Sequence, residues 1–277
     1  MKVITTIGDM KAVINKHHHQ TIGLVPTMGY LHEGHVALVT QAKKENDIVV
    51  MSIFVNPTQF GPNEDFESYP RDFDRDVMLA TEAGVDYIFA PSVTEMYPRT
   101  SSLHLHVGEM AQTLCGASRP NHFDGVVQIV TKLLHIIEPT HAYFGQKDAQ
   151  QLAIIEALVR DYNFPVIIRS VPIIREADGL AKSSRNVYLT PIERQQAPVI
   201  YATLQQIQNE VWTIAEGIAH IEKVTTGKVD YLTKLSYPDL TKPTAETTAF
   251  ILAAAVYIGT TRLIDNVIWE VTACCAQ

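Results

Sequence analysis

Short, nearly continuous apolar runs alternate with longer amphipathic stretches along the first two thirds of the chain. Residues 21–26, 47–55, 86–90 and 141–144 are runs of the first kind, the pattern of strands buried on both faces. Residues 33–46, 72–83, 125–137 and 149–162 space their apolar positions at helical intervals. Strand and helix in that alternation predict an α/β fold built on a doubly wound parallel sheet, to which residues 166–172 add a further strand. Past a polar, glycine-containing turn at 175–179 the texture changes. A helix-rich stretch runs from Pro191 to about Gly217, with Pro198 expected to kink or restart it, and 230–235, 248–257 and 262–269 read as strands of a smaller sheet. The domain boundary is expected near residue 176, giving a larger domain over 1–176 and a smaller α+β domain over 177–277.

Composition narrows the partners. The 277 residues are 46% hydrophobic and 19% charged, which excludes a disordered chain. With 22 Lys and Arg against 30 Asp and Glu, the net charge of −8 repels polyanions, so no nucleic-acid partner is expected and any anionic ligand must be captured locally. Three cysteines, Cys115, Cys274 and Cys275, make no disulfide framework and fit a reducing, cytoplasmic setting. No apolar run reaches the length of a membrane span and no signal-peptide core opens the chain, so no membrane partner is expected.

Four polar segments follow predicted strands or the expected boundary. Residues 26–35, Pro-Thr-Met-Gly-Tyr-Leu-His-Glu-Gly-His, end one strand and open a helix at the edge where open α/β sheets bind ligands. Gly29 permits a tight turn, Gly34 permits close approach of a phosphate, and the amides of the new helix favour negative charge. His32 and His35 share one face of the first helical turn and suit hydrogen bonding to phosphate oxygens. Their spacing of three is not that of a zinc metalloprotease motif. The plainer alternative is that they only cap the helix. Residues 181–186, Ala-Lys-Ser-Ser-Arg-Asn, gather two hydroxyls and two cations suited to closing over a triphosphate. Gly145-Gln146-Lys147-Asp148 would bring an ammonium to a phosphate, and Asn56-Pro57-Thr58-Gln59-Phe60 offers neutral hydrogen-bonding groups for a hydroxyl and a carboxylate. Each loop alone is as well read as an ordinary turn; their common edge is the argument.

Taken together these segments resemble the pantoate–β-alanine ligase (pantothenate synthetase) family over essentially the whole chain. Residues 26–35 look like that family's version of the HIGH nucleotide motif, and further matches are Val55–Gly61, Tyr69-Pro70-Arg71, Arg119–Phe123, Phe144–Gln151, Asp178–Asn186 and Thr261–Asn266. The resemblance implies a Rossmann-like fold of the HIGH superfamily. It also implies ATP-dependent condensation of pantoate with β-alanine through pantoyl adenylate, releasing pyrophosphate and then AMP. By the same resemblance, Met28, Gly29, Tyr30, Leu31, His32, Glu33, Gly34 and His35 hold ATP, as do Gly145, Gln146, Lys147, Asp148, Ile174, Lys182, Ser183, Ser184 and Arg185. His35 acts as general acid or charge stabiliser with His32 beside it, Lys147 neutralises phosphate charge, and Ser183, Ser184 and Arg185 close on the β- and γ-phosphates. Gln59 and Gln151 hold pantoate, Gln59 also faces β-alanine, and Asn56, Arg119 and His122 are further candidates around these substrates. Mg²⁺ is the implied cofactor, with Asp76 in the region linked to it, and a homodimer is the implied assembly.

Two positions depart from the family pattern: Asn121 replaces its usual glycine, and Lys182 stands where methionine is common. Asn tolerates a positive φ better than most residues. The competing readings are a HIGH-type nucleotidyltransferase acting on a phosphorylated substrate, which would want added cations near Gln59 and Gln151, and a nucleotide-binding module without catalysis.

Overall fold

In the computed structural model, which describes residues 1–62, 64 and 66–271, the apolar runs are strands and the amphipathic stretches are helices. Cys274 and Cys275 lie outside the described residues. The chain order opens with β1 (Lys2–Ile4), α1 (Ile7–Lys16), β2 (Ile22–Thr27), α2 (Glu33–Glu45), β3 (Ile48–Ile53), α3 (Phe73–Glu82), β4 (Tyr87–Phe89) and α4 (Val93–Met96). It continues through α5 (Leu114–Ser118), α6 (His122–Ile137), β5 (His141–Gly145), α7 (Ala149–Asp161) and β6 (Ile167–Val171). The remainder is α8 (Pro191–Gln196), α9 (Val199–Gln208), α10 (Ile214–Val224), β7 (Lys228–Ser236), β8 (Ala249–Ile258) and β9 (Thr261–Glu270).

Two compact units result. The first comprises residues 1–108, 119–146 and 154–172; the second comprises 109–118, 147–153 and 173–277. The last passage of the chain into the second unit falls between Pro172 and Ile173, and the second unit also gathers two earlier segments that no single cut would assign to it.

The first unit is built on a six-stranded parallel sheet in the order β1-β4-β3-β2-β5-β6. From β2 the chain winds outward through β3 and β4, then returns to the opposite side for β5 and β6. The switch point therefore lies between β2 and β5, where sheets of this kind leave a crevice at their carboxyl ends. Val25, Val49, Met51, Ile88 and Tyr143 from the strands pack with Leu38 and Val39 of α2. Strand β1 escapes the sequence pattern because three residues, two of them exposed, carry no readable period. Helix α6 starts before the expected residue 125 because Asn121 takes φ 63° and ψ 0° and serves as its N-cap residue. This backbone is what the family's usual glycine supplies, and Asn adopts it with less strain than other side chains.

The second unit is a three-stranded antiparallel sheet, β7-β8-β9, with a core of Leu180, Ile200, Leu204, Ile221, Leu252, Val256 and Leu263. Pro198 separates α8 from α9 as its missing N–H dictates. Among the described residues no helix is long and apolar enough to cross a membrane.

Candidate active site

In the first unit the chain leaves β2 at Thr27 and turns through Gly29, φ 82°, and Tyr30, φ 51°, before entering α2. Two consecutive residues in the left-handed region need support from outside the turn. Asp76 of α3, 1% exposed, supplies it: one carboxylate oxygen accepts the Tyr30 N–H at 2.7 Å and the other accepts the Leu31 N–H at 2.6 Å. Burial pushes this carboxyl above its ordinary value, and the two amides act against that rise. Next to it, Arg75 donates to the Leu31 carbonyl at 2.9 Å. Below the turn, Thr27 donates to the Ser52 carbonyl at 2.7 Å and accepts the Gly29 N–H at 3.2 Å.

The two histidines close the turn onto the helix. His32 is the N-cap residue and its Nδ1 accepts the Gly34 N–H at 3.1 Å, while Nδ1 of His35 accepts the His32 N–H at 3.2 Å. The rings lie 4.0 Å apart between centroids. Because a backbone amide donates to each Nδ1, the ring proton of each neutral imidazole is assigned to Nε2. The capping alternative is therefore true of one edge of each ring, and it fixes the tautomer in which the other edge is a donor.

Asn56 and Gln59 sit after β3, both buried. Asn56 Nδ2 donates to Gln59 Oε1 and to the Gly125 carbonyl, each at 3.1 Å, and its Oδ1 accepts from Tyr97 at 2.8 Å and Thr58 Oγ1 at 3.1 Å. Its side chain is thus engaged in shaping the Gln59 turn. Gln59 Nε2 points to Met28 Sδ at 3.3 Å, which joins two of the predicted segments. A Cβ on Gly125 would stand 2.3 Å from the Thr58 carbonyl oxygen, so only glycine lets α6 approach this turn. Along α6, His122 Nδ1 donates to the Gln59 carbonyl at 2.7 Å, its Nε2 accepts from Arg119 at 3.0 Å, and Arg119 meets Glu64 through two bonds at 2.7 and 2.5 Å. Arg119 and His122 thus hold the backbone of Gln59. Burial would raise the Glu64 carboxyl, but the Arg119 guanidinium overcomes it and holds the group below the usual carboxylate range. Gly145 and Gln146 close the unit's share, at the end of β5.

The second unit holds Lys147, Asp148, Gln151, Ile174 and residues 182–185. Lys147 Nζ is 3.5 Å from Asp148, and Gln151 lies half-buried in the first turn of α7. Arg175 and Ala181 form a bridge that closes a hairpin around Gly179, φ 95°, and the Lys182 N–H donates to the Ile174 carbonyl at 2.9 Å. Lys182 Nζ lies 3.1 Å from Glu176. The family's usual methionine is thereby replaced by an ion pair within the hairpin. Ser183 then caps a short 3-10 turn, accepting the Arg185 N–H at 3.3 Å. Sequence reasoning gave no role to Asp76 as the support of a turn, nor to Arg175, Asp265 and Asn266. The signal for the last two was present in the Thr261–Asn266 motif.

Two left-handed residues and a histidine-capped helix at the switch point of a parallel sheet place this chain among the nucleotide-binding α/β enzymes. A family model described as pantoate-β-alanine ligase matches residues 2–268. A pantothenate synthetase of Lysinibacillus sphaericus is 60% identical over 280 residues, covering 98% of this chain and 99% of its own. The crystal structure of a pantothenate synthetase from Thermus thermophilus superposes with a TM-score of 0.88 at 42% identity, covering 96% of this chain and 99% of that one. A pantoate-β-alanine ligase from Francisella tularensis, complexed with β,γ-ATP and β-alanine, gives 0.85 at 38% identity, covering 97% of each. The chain belongs to the pantoate–β-alanine ligase family, and its chemistry is the ATP-dependent joining of pantoate to β-alanine in pantothenate biosynthesis.

Proposed function

We propose that each motif has the role here that the family resemblance gives it. The histidine-capped turn is the observation that carries this reading, because it offers oriented N–H donors where an anion must be held. Met28–His35 bind ATP in the first unit together with Gly145 and Gln146; Lys147, Asp148, Ile174 and residues 182–185 do so in the second. Attack of the pantoate carboxylate on the α-phosphorus brings two anions together. The Nε2–H groups of His32 and His35, with Lys147 and Arg185, offset the charge that builds on the phosphates as pyrophosphate leaves. Gln59 and Gln151 hold pantoate by neutral hydrogen bonds, and Gln59 also faces β-alanine. In the second step the β-alanine amine attacks the acyl carbon and AMP departs with its oxygen.

Asn56 and Arg119 support this site by shaping the Gln59 turn, as their bonds favour. Mg²⁺ arrives with ATP. Among the described residues no group of three or more His, Cys, Asp or Glu side chains is arranged to hold a metal; the ion would bring oxygen ligands of the kind it prefers, with waters, from its own environment. When bound it neutralises phosphate charge; Asp76 has for it only the lone pairs that Tyr30 and Leu31 leave. The working form is a cytoplasmic homodimer, for which light scattering should give about twice 30.8 kDa.

The test is pyrophosphate release from Mg·ATP with pantoate alone, then addition of β-alanine with detection of AMP and pantothenate by mass. Pantoate-dependent pyrophosphate that becomes sustained turnover with β-alanine supports both half-reactions. ATP binding without pyrophosphate would overturn the reading.

A further inference from the structure

Nothing in the reaction so far uses the Thr261–Asn266 motif. Asp265 and Asn266, in the middle of β9, are polar yet only 4% and 5% exposed. Neighbouring residues on a strand point to opposite faces, so one strand can serve two segments at once. Asp265 accepts two bonds from Arg175, at 2.6 and 2.9 Å. Arg175 also donates to the Gly179 carbonyl at 3.0 Å and lies over the Tyr201 ring at 3.5 Å, which fixes the hairpin leading into residues 182–185. Asn266 turns to the other segment and donates from Nδ2 to the Lys147 carbonyl at 3.1 Å. Asp265 orders its neighbour too, since its Oδ1 accepts the Asn266 N–H at 2.8 Å. Lys147, Ser183, Asn186 and Asp265 line one concavity of the second unit.

We propose that Asp265 and Asn266 are a positioning pair that sets Lys147 and the 182–185 segment in fixed register with each other for the triphosphate of ATP. The inference rests on the reading of those two segments as phosphate-binding. Asp265 acts through Arg175 and the hairpin, and Asn266 acts through the Lys147 backbone; neither touches substrate. Packing alone does not demand this pair, because apolar residues of similar volume fill a strand interior as well as buried polar ones do. What apolar residues could not supply is a directional bond to each of two loops.

The test is a double-mutant cycle on pantoate-dependent pyrophosphate release, with wild type, Asn266→Ala, Lys147→Ala and the double variant, each checked for a wild-type-like circular dichroism spectrum and melt. Asn266→Ala is expected to lower the rate of this step about tenfold while leaving the KM for β-alanine unchanged. In the Lys147→Ala background the same substitution should cost less than about twofold, because the group it positions is gone. Equal losses in both backgrounds, or full activity in Asn266→Ala, would overturn the proposal. If Lys147→Ala itself releases pyrophosphate at the wild-type rate, the phosphate role of Lys147 fails, and the positioning pair with it. Asp265→Asn should weaken binding and use of ATP in the same step; should that variant fail to fold, the Asn266 cycle decides alone.

Discussion

The turn at residues 28–35 and the segment at residues 182–185 are both proposed to bind ATP, and they are held by different means. The turn is fixed from beneath along its whole length. Asp76 takes two successive amides, Thr27 takes a third, and the paired histidines lock the helix entrance. The 182–185 segment is held as a capped turn on a hairpin: Lys182 bonds to Ile174, Ser183 accepts the Arg185 N–H, and Asn186 Nδ2 donates to the Ala181 carbonyl at 3.0 Å. Arg175 and Asp265 anchor the hairpin below it, a pair 17% and 4% exposed, and removing one partner of such a pair costs about 3–5 kcal/mol. A donor array of the kind proposed for the turn is best built on a buried carboxylate and a helix cap.

The largest expected effect breaks the turn's chemistry. His35→Ala removes one Nε2–H donor and half of the capping box; pantoate-dependent pyrophosphate release should fall about 100-fold or more, and stability by about 1 kcal/mol in a urea titration. Next, Asp76→Asn offers only one acceptor for two amides. It should cost about 1–3 kcal/mol in urea unfolding and slow the same half-reaction about tenfold. A comparable loss of rate from a change confined to residues 183–185, with no loss of stability, would sharpen the contrast between the two segments.

A smaller effect concerns pH. The Glu64 carboxyl is lowered in the folded protein from an ordinary 4.5, so it stays ionised where the unfolded chain's glutamate begins to protonate. Its contribution to stability is therefore full above about pH 4.5 and is lost as pH falls through the lower folded value. Urea midpoints measured between neutral and acid pH should fall less steeply in Glu64→Gln than in wild type. The smallest effect is that of Asn121→Gly, which restores the family's residue at φ 63°. Thermal melting should change by no more than the equivalent of about 1 kcal/mol, with turnover unaltered.

Local periodicity determined much of this protein. Strands from apolar runs, helices from amphipathic spacing and the break at Pro198 were all legible, because each depends on residues close in sequence. The turn between β2 and α2 was legible for the same reason: Gly29, His32, Gly34 and His35 lie within seven positions of one another. Only the tertiary structure decided what holds those groups. Asp76 reaches Tyr30 across 46 positions, Gln59 depends on His122 63 positions away, and Asp265 meets Arg175 across 90. It also assigned segments 109–118 and 147–153 to the second unit, and it showed Asp76 accepting two amides of the turn. Buried hydrogen bonds of this reach follow from which elements pack together, and a hydrophobic pattern says that a residue is buried without saying against what.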